Sequence, residues 1–199
     1  MPDAGRVIGG RAAGVRLASP GPGTRPLADR VKEALFAILE PDLHRARVLD
    51  LFAGSGAAGI EALSRGAAAA VFVDDAGRAV RTIEENLRRA GLAGPEIRVV
   101  RAGLPDWLAT ADAIGAGPFD IVFVDPPYAA RDLLLATLDR VGAGERLVRP
   151  GGRVVAKHFW RDAPPAAIGL LRSERERRFG ETALTFYRRI DRPEGAGEQ

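Results

Sequence analysis

Apolar positions in this chain recur in two patterns. Between residues 29 and 39, Val31, Ala34, Leu35, Ile38 and Leu39 share one face of a 3.6-residue helix. Asp29 or Thr24 is placed to start that helix, and Pro41 to follow its end. From residue 47 the pattern changes to short unbroken apolar runs, predicted as strands over 47–52, 69–74, 97–101, 119–124 and 152–158. Helical segments over 57–65, 78–90, 104–113 and 131–141 separate them. Gly91 stops the second of these, and an Arg149-Pro150-Gly151 turn precedes the last strand. Apolar strands joined through helices make a mostly parallel sheet covered on both faces. Segments 170–179 and 182–189 differ: separated by Gly180-Glu181, they read as an antiparallel hairpin finishing the sheet. Residues 6–18 read as a separate β-hairpin around glycine pairs, and 19–26 (SPGPGTRP) as a turn-rich linker. The expected organisation is therefore an N-terminal hairpin extension and linker over 1–26, one α/β domain over 27–190 and a flexible tail over 191–199.

Composition narrows the function classes. The 199 residues suffice for one full-sized domain, and 46% apolar with 28% charged residues is a globular balance. The chain has no cysteine, which excludes disulfides and thiolate metal sites. Its two histidines, His44 and His158, do not suggest a metal cluster, and no metal is expected. The longest uncharged run spans ten residues, 51–60, against about 20 for a spanning helix. No charged-then-apolar leader opens the chain, so a cytoplasmic protein is expected; it is expected to be a monomer. Charge is unevenly placed. Residues 1–32 carry six basic and two acidic groups, net +4; residues 33–152 are net −4; residues 153–189 are net +5. Two basic ends around an acidic centre suit a polyanion such as nucleic acid, although the solvated surface of an arginine-rich chain gives the same counts.

The first strand runs into Asp50-Leu51-Phe52-Ala53-Gly54-Ser55-Gly56-Ala57-Ala58-Gly59. Glycines at 54, 56 and 59, at a strand-to-helix junction, let a ligand approach the backbone and the free N–H groups of the next helix. Asp74 ends the second strand, twenty residues beyond Gly54, with Asp75 as a neighbouring candidate. An acid there can accept hydrogen bonds from ribose hydroxyls. These features fit NAD and S-adenosylmethionine alike, and Asp50 separates them. A carboxylate four residues before the first glycine repels a pyrophosphate and attracts the ammonium or sulfonium of S-adenosylmethionine.

The fourth strand ends in Asp125-Pro126-Pro127-Tyr128, at the sheet edge where open α/β folds place their ligands. Two prolines stiffen the loop and remove two N–H groups. What remains is the Asp125 carboxylate, free backbone carbonyls and the flat face of Tyr128. An acceptor array beside a ring suits a planar base held by its exocyclic amine. Such an amine is a poor nucleophile because its lone pair is delocalised. Hydrogen bonds to Asp125 and a proline carbonyl orient it, and proximity to the methyl donor supplies much of the remaining rate.

DPPY resembles the motif of amino-group methyltransferases acting on nucleobases. The chain as a whole is similar to the bacterial 16S ribosomal RNA guanine-N2 methyltransferase family, the RsmD type. The matching stretches are Arg6-Val7-Ile8-Gly9-Gly10, Thr24-Arg25-Pro26, 29–36 (DRVKEALF), Asp50 to Gly56, 61–66 (EALSRG), Asn86-Leu87, Asp125 to Tyr128 and Phe179-Gly180-Glu181-Thr182. That resemblance implies a Rossmann-like seven-stranded methyltransferase sheet, mostly parallel with a C-terminal antiparallel hairpin, plus a small N-terminal β-hairpin extension. It implies S-adenosylmethionine as donor, held by Asp50, Phe52, Ala53, Gly54, Ser55, Gly56, Asp74 and Asp75. The substrate it implies is a guanine amine in 16S ribosomal RNA or a small-subunit assembly particle. Asp125, Pro126, Pro127 and Tyr128 would be the catalytic motif, and Arg25, Asp29 and Arg30 a segment beside the active site. The chain departs from the family pattern at Leu27, Asp75-Ala76, Gly103 and Lys157, where relatives often carry other residues. Adenine contact would then fall to backbone N–H groups at Gly103 and Leu104.

Arg6, Arg11 and Arg16 recur in the N-terminal hairpin, where they suit phosphate contact or a basic edge that blocks aggregation. With Arg25 and Arg30 they are the candidate RNA contacts. Arg172, Arg175, Arg177 and Arg178 interleave with Glu174 and Glu176 as a salt-bridged strand face, while Trp107, Trp160 and His158 are read as packing residues. Other readings of the same fold are DNA adenine-N6 or protein glutamine-N5 methylation. A nicotinamide dehydrogenase and a non-enzymatic RNA-binding module are the alternatives of other classes.

Overall fold

A computed structural model describes residues 3–21, 28–143 and 146–191. Its centre is an eight-stranded sheet. In chain order, Arg16–Ala18 is strand β2, paired antiparallel with β1 (Asp3–Arg6) as a small sheet of its own. The main sheet contains β3 (Arg47–Leu51), β4 (Ala69–Asp74), β5 (Ile97–Arg101), β6 (Phe119–Val124), β7 (Val148–Phe159), β8 (Ala167–Ile168), β9 (Leu171–Phe179) and β10 (Thr182–Arg189). Their spatial order is β5-β4-β3-β6-β7-β10-β9-β8. The first five are parallel and the last three pair antiparallel. The helices are α1 (Asp29–Leu43), α2 (Ala57–Ser64), α3 (Gly77–Arg89), α4 (Ala111–Ala116) and α5 (Arg131–Ala143). Two apolar cores cover the two sheet faces. One gathers Leu35, Phe36, Ile60, Phe72 and Phe123, the other Leu49, Val73, Val122, Leu138 and Tyr187. Alternate residues of β3 and β6 thus bury opposite ways, as the period of a strand requires.

Four sequence expectations are corrected. Pro41 lies inside α1, in its last turn, where the missing N–H costs a single helical bond. The helix expected over 104–113 divides into a 3₁₀ turn, Asp106–Ala109, and α4. Extended Thr110 separates them, and its hydroxyl accepts the Ala113 N–H to start the second. The Arg149-Pro150-Gly151 turn is a bulge inside β7: Phe119 pairs with Val148 but Ile121 with Arg153. The sheet also gains a two-residue edge strand, β8, beyond the seven expected.

The N-terminal hairpin is tied to the domain through buried polar groups. Glu61, fully buried on α2, accepts the N–H groups of Ile8 (2.7 Å) and Gly9 (2.8 Å) and the guanidinium of Arg65 (2.8 Å). Ser64 accepts from Ala12 N–H and donates to Gly9 carbonyl. Buried Lys32 reaches the Arg6 carbonyl. Buried Asn86 on α3 exchanges two hydrogen bonds with the Ala18 backbone and donates also to the Ser55 carbonyl, so it joins the arm to the glycine loop. A glutamine at 61 can accept with one oxygen only, leaving a buried N–H unpaired. Glu61→Gln is therefore expected to cost about 1–3 kcal/mol, read as a lower denaturant midpoint with unchanged slope. No change in midpoint would show that the arm is held by its apolar contacts alone.

Candidate active site

The strand order reverses between β3 and β6, and a crevice opens there at the carboxyl ends of the strands. Register decides what faces it. Leu51 pairs with Val73 on one side and Val124 on the other, so the next residues outward, Asp74 and Asp125, flank Phe52. Phe52 leaves the strand at φ +59°, a left-handed conformation that costs a non-glycine residue about 1–2 kcal/mol. That turn is why β3 stops one residue before the expected end. Gly54 and Gly56 continue the left-handed path at φ +56° and +75°, where a Cβ would add similar strain. Gly59 serves a different need. A Cβ there would stand 2.3 Å from the Phe72 ring, so only glycine lets α2 lie this close to β4.

A cavity of about 740 Å³ fills the crevice. Asp50, Phe52, Ala53, Gly54, Ser55, Asp74, Asp75, Gly103 and Leu104 line it, as do Asp125, Pro126, Pro127 and Tyr128. Of the residues proposed from sequence to hold the donor, only Gly56 is not among the lining. It caps α2 from beneath, against Ile60 and Ile83, and donates to the Ala53 carbonyl at 2.7 Å. Asp74 is tied to the loop: one oxygen accepts from Gly54 N–H (2.9 Å), the other from Ala76 N–H (3.0 Å). It holds the glycine turn in place while each oxygen keeps a further lone pair. A Cβ at Gly103 would meet nothing within 4 Å, so the cavity stays open at that end.

The cavity is strongly acidic. Asp50 is 2% exposed, and its Oδ2 accepts from Gly59 N–H at 2.9 Å. Burial pushes its pKa up to about 8; the Gly59 bond opposes this, and the charges of Asp125 and Asp74 add to it. Asp125 is also raised above the ordinary carboxylate range by burial, with Lys157 working against that rise. Lys157 Nζ, from β7, lies 2.5 Å from Asp125 Oδ1 and 5.1 Å from the centre of the Tyr128 ring. Lys157 thus occupies Oδ1 as a close ion pair, while the Asp125 side chain stays part-exposed to the cavity. The Tyr128 hydroxyl is fixed by Thr182 of β10 at 2.6 Å.

A second cavity of about 520 Å³ adjoins the first, and both are lined by Tyr128 and Lys157. Arg30, Arg178, Gly180, Glu181 and Thr182 also line it. Sequence reasoning gave no role to Lys157, Glu61 or Asn86. The available signal was a polar residue on an otherwise apolar helix face or strand, which is costly unless partnered. Arg30 is exposed beside the second cavity; Arg25 lies outside the described residues. Arg6 pairs with Asp29 at 3.1 Å. Arg16 is exposed on β2, and Arg11 sits where its N–H meets the Ser64 carbonyl, at the C-terminal end of α2. That is about 12 Å, the rise of an eight-residue helix, from the glycine loop at the other end. Trp107 is buried and donates to Asp112, and His158 is buried against Thr185, both as packing residues. Trp160 is half-buried, with Arg161 and Arg178 on its ring. Of the 172–178 cluster, Glu174 pairs among the described residues with Arg188 of neighbouring β10 and Arg153 of β7 beyond it rather than with the arginines beside it.

A parallel sheet finished by an antiparallel hairpin, with a glycine turn at the switch point and DPPY on the adjoining strand end, defines a Rossmann-like methyltransferase. The family model described as Conserved hypothetical protein 95 matches residues 5–188. The chain belongs to that family, the RsmD type of methyltransferase. Over 187 residues it is 36% identical to YlbH of Bacillus subtilis (strain 168), a candidate rRNA methyltransferase, covering 92% of this chain and 98% of that one. It is 43% identical over 135 residues to ribosomal RNA small subunit methyltransferase D of Escherichia coli (strain K12), across 67% of this chain and 65% of that protein. The structure of the candidate methyltransferase yhhF from Escherichia coli superposes with a TM-score of 0.80 at 34% identity, over 93% of this chain and 97% of that one. Among the described residues no helix is long and apolar enough to cross a membrane.

Proposed function

We propose that the protein transfers a methyl group from S-adenosylmethionine to the exocyclic N2 amine of a guanine in 16S ribosomal RNA. The observation that carries this reading is the Asp125 carboxylate. Paired through Oδ1 with Lys157 and part-exposed, it stands beside an aromatic face, where an acidic cavity meets a basic one. The acidic side fits a cationic donor: Asp74, Asp75 and Asp125 outweigh Lys157, and Asp50 adds its charge when a cation faces it. Asp50 suits the donor's cationic groups, Asp74 and Asp75 its ribose, and the open Gly103–Leu104 backbone its adenine. When bound, S-adenosylmethionine supplies an electrophilic sulfonium methyl. The names of the relatives support ribosomal RNA of the small subunit as substrate.

Asp125 accepts an N–H of the target amine and turns the nitrogen lone pair out of the ring plane, toward the donor cavity. Tyr128 holds the base by stacking, its ring fixed through Thr182. Once the nitrogen carries a fourth bond it is strongly acidic. Asp125, made more basic by burial than an exposed carboxylate, takes up the released proton or passes it to water. The test is incubation with methyl-labelled donor and unmodified ribosomal RNA or small subunits, followed by mapping of the labelled nucleoside. N2-methylguanosine in the RNA is expected. Label in DNA as N6-methyladenine, or in protein, would replace this reading with its neighbours of the same fold. Binding of NAD but not S-adenosylhomocysteine in a calorimeter would remove it from the methyltransferases.

Stacking makes a separable prediction. Tyr128→Ala is expected to raise KM for RNA by about 5- to 150-fold, the equivalent of the roughly 1–3 kcal/mol of one base on one aromatic ring. Tyr128→Phe keeps the face and loses only the Thr182 bond, so its effect stays within about tenfold. Equal losses in steady-state kinetics of the two variants would assign the role to the hydroxyl instead.

A further inference from the structure

The basic cavity has a rim that neither the sequence pattern nor the proposed chemistry accounts for. Trp160 follows β7, and its backbone N–H bonds to Glu181 in the β9–β10 turn at 3.1 Å. The guanidinium carbon of Arg178 lies 3.6 Å from the centre of the Trp160 ring, and that of Arg161 at 4.7 Å. Arg178 Nε also donates to the Gly180 carbonyl. Among the described residues neither arginine makes an ion pair, whereas Arg153 and Arg188 on the same sheet share Glu174. Both are exposed, yet each is pinned by a cation–π contact worth about 0.5–1 kcal/mol at such a site. Two long cationic side chains are thus ordered in advance with their charge unspent. Ordering of this kind lowers the entropy cost of binding an anion.

The neighbourhood states which anion. Arg178 lines the basic cavity with Arg30 and Lys157; Glu181 is the one carboxylate among that cavity's described lining residues. The cavity joins the Tyr128 face, so a base lying on Tyr128 would leave its backbone at this mouth. Bidentate planar donors on an aromatic platform match phosphodiester oxygens.

We propose that Arg161 and Arg178, held on Trp160, form a clamp for the RNA phosphates flanking the target base. The inference rests on the RNA reading given above, and it places backbone contact at the β9–β10 end of the sheet as distinct from the tip of the N-terminal hairpin. The clamp contacts phosphate alone, so it positions RNA without reading sequence.

The test compares Arg161→Gln/Arg178→Gln with a control of equal charge loss on α3, Arg81→Gln/Arg88→Gln, and with Trp160→Leu, which removes the platform and keeps both charges. The probes are transcribed 16S ribosomal RNA and unmodified small subunits. In the clamp double variant the slope of log K against log salt on the transcribed RNA is expected to fall by about 1.4, two phosphates at roughly 0.7 each. KM should rise about tenfold, with kcat and S-adenosylhomocysteine affinity unchanged, and Trp160→Leu should fall between this variant and wild type. Retained S-adenosylhomocysteine binding shows that each variant is folded. Behaviour of the clamp variant indistinguishable from the α3 control overturns the clamp and leaves the RNA reading standing. A wild-type enzyme that methylates neither probe overturns both.

Discussion

Asp125→Ala is expected to lower kcat by about 10²- to 10⁴-fold, the range for loss of a positioned acid–base group, with S-adenosylhomocysteine affinity held within a few-fold. The two readouts separate because Asp125 is paired with Lys157, which lines both cavities, whereas Asp74 and the glycine turn it holds lie across Phe52 from it. An interaction formed only as the amine reacts lowers kcat; one formed equally with bound donor changes affinity alone. The variant also strands Lys157, whose ammonium lies 2.5 Å from Asp125 Oδ1. S-adenosylmethionine itself should lose somewhat more affinity than its uncharged-sulfur product, because a cation then faces the sulfonium across the site. Asp125→Asn keeps one acceptor oxygen and should fall between alanine and wild type. Calorimetry with the product and single-turnover methylation with the donor measure the two quantities. Equal losses in affinity and turnover would mean that Asp125 shapes the donor cavity and leaves the amine unoriented.

Much of this site was legible because it is local. The glycine turn, Asp74 and DPPY each sit at a strand end, and the apolar runs give the bounds of β4, β5 and β6 to the residue and that of β3 to within one. A parallel sheet then delivers every strand end to one edge, and register alone brings Asp74 and Asp125 to either side of Phe52. What escaped the sequence is contact between distant segments. Lys157 meets Asp125 because β7 lies next to β6, and nothing in the local pattern around 157 announces a partner 32 positions earlier. Glu61 and Asn86 read as polar interruptions of apolar helix faces; only the docked arm shows what they bind. Trp160 was assigned to the core because isolated tryptophans usually pack there. It remains half-buried because the strand ends one residue before it, and two arginines from separate segments cover the ring. The β7 bulge hid for a related reason: Arg-Pro-Gly has the composition of a turn, and pairing with β6 on both sides makes it a bulge.

Donor binding should depend steeply on pH, and Asp50 sets the direction. Its carboxyl is raised to about 8 by burial, with Asp125 and Asp74 adding to the rise. In the ligand-free protein at pH 6 to 7 it therefore carries a proton. A cationic donor group facing that carboxyl favours the ionised form, so binding must release the proton. Below the free-protein pKa, affinity then rises by up to a factor of ten per pH unit, and about one proton leaves per ligand bound. S-adenosylhomocysteine is the suitable probe, because it keeps the ammonium and cannot react. Titration in two buffers of different ionisation enthalpy at pH 6 and pH 7 gives both numbers. The expected result is about tenfold tighter binding at pH 7 and buffer-dependent heats. Asp50→Asn, which keeps an acceptor for Gly59 N–H, should bind more weakly with little pH dependence. The ligand-free fold carries the opposite trend. A carboxyl with a folded-state pKa above its unfolded value of 3.8 contributes stability that is present at acid pH and is lost as pH rises toward 8. Donor binding thus strengthens over the same interval in which the empty site becomes costlier to fold, as expected where carboxylates are gathered to meet a cation. Affinity that is flat from pH 6 to 7 in the wild type would show that Asp50 stays protonated in the complex and serves only to hold the Gly59 N–H.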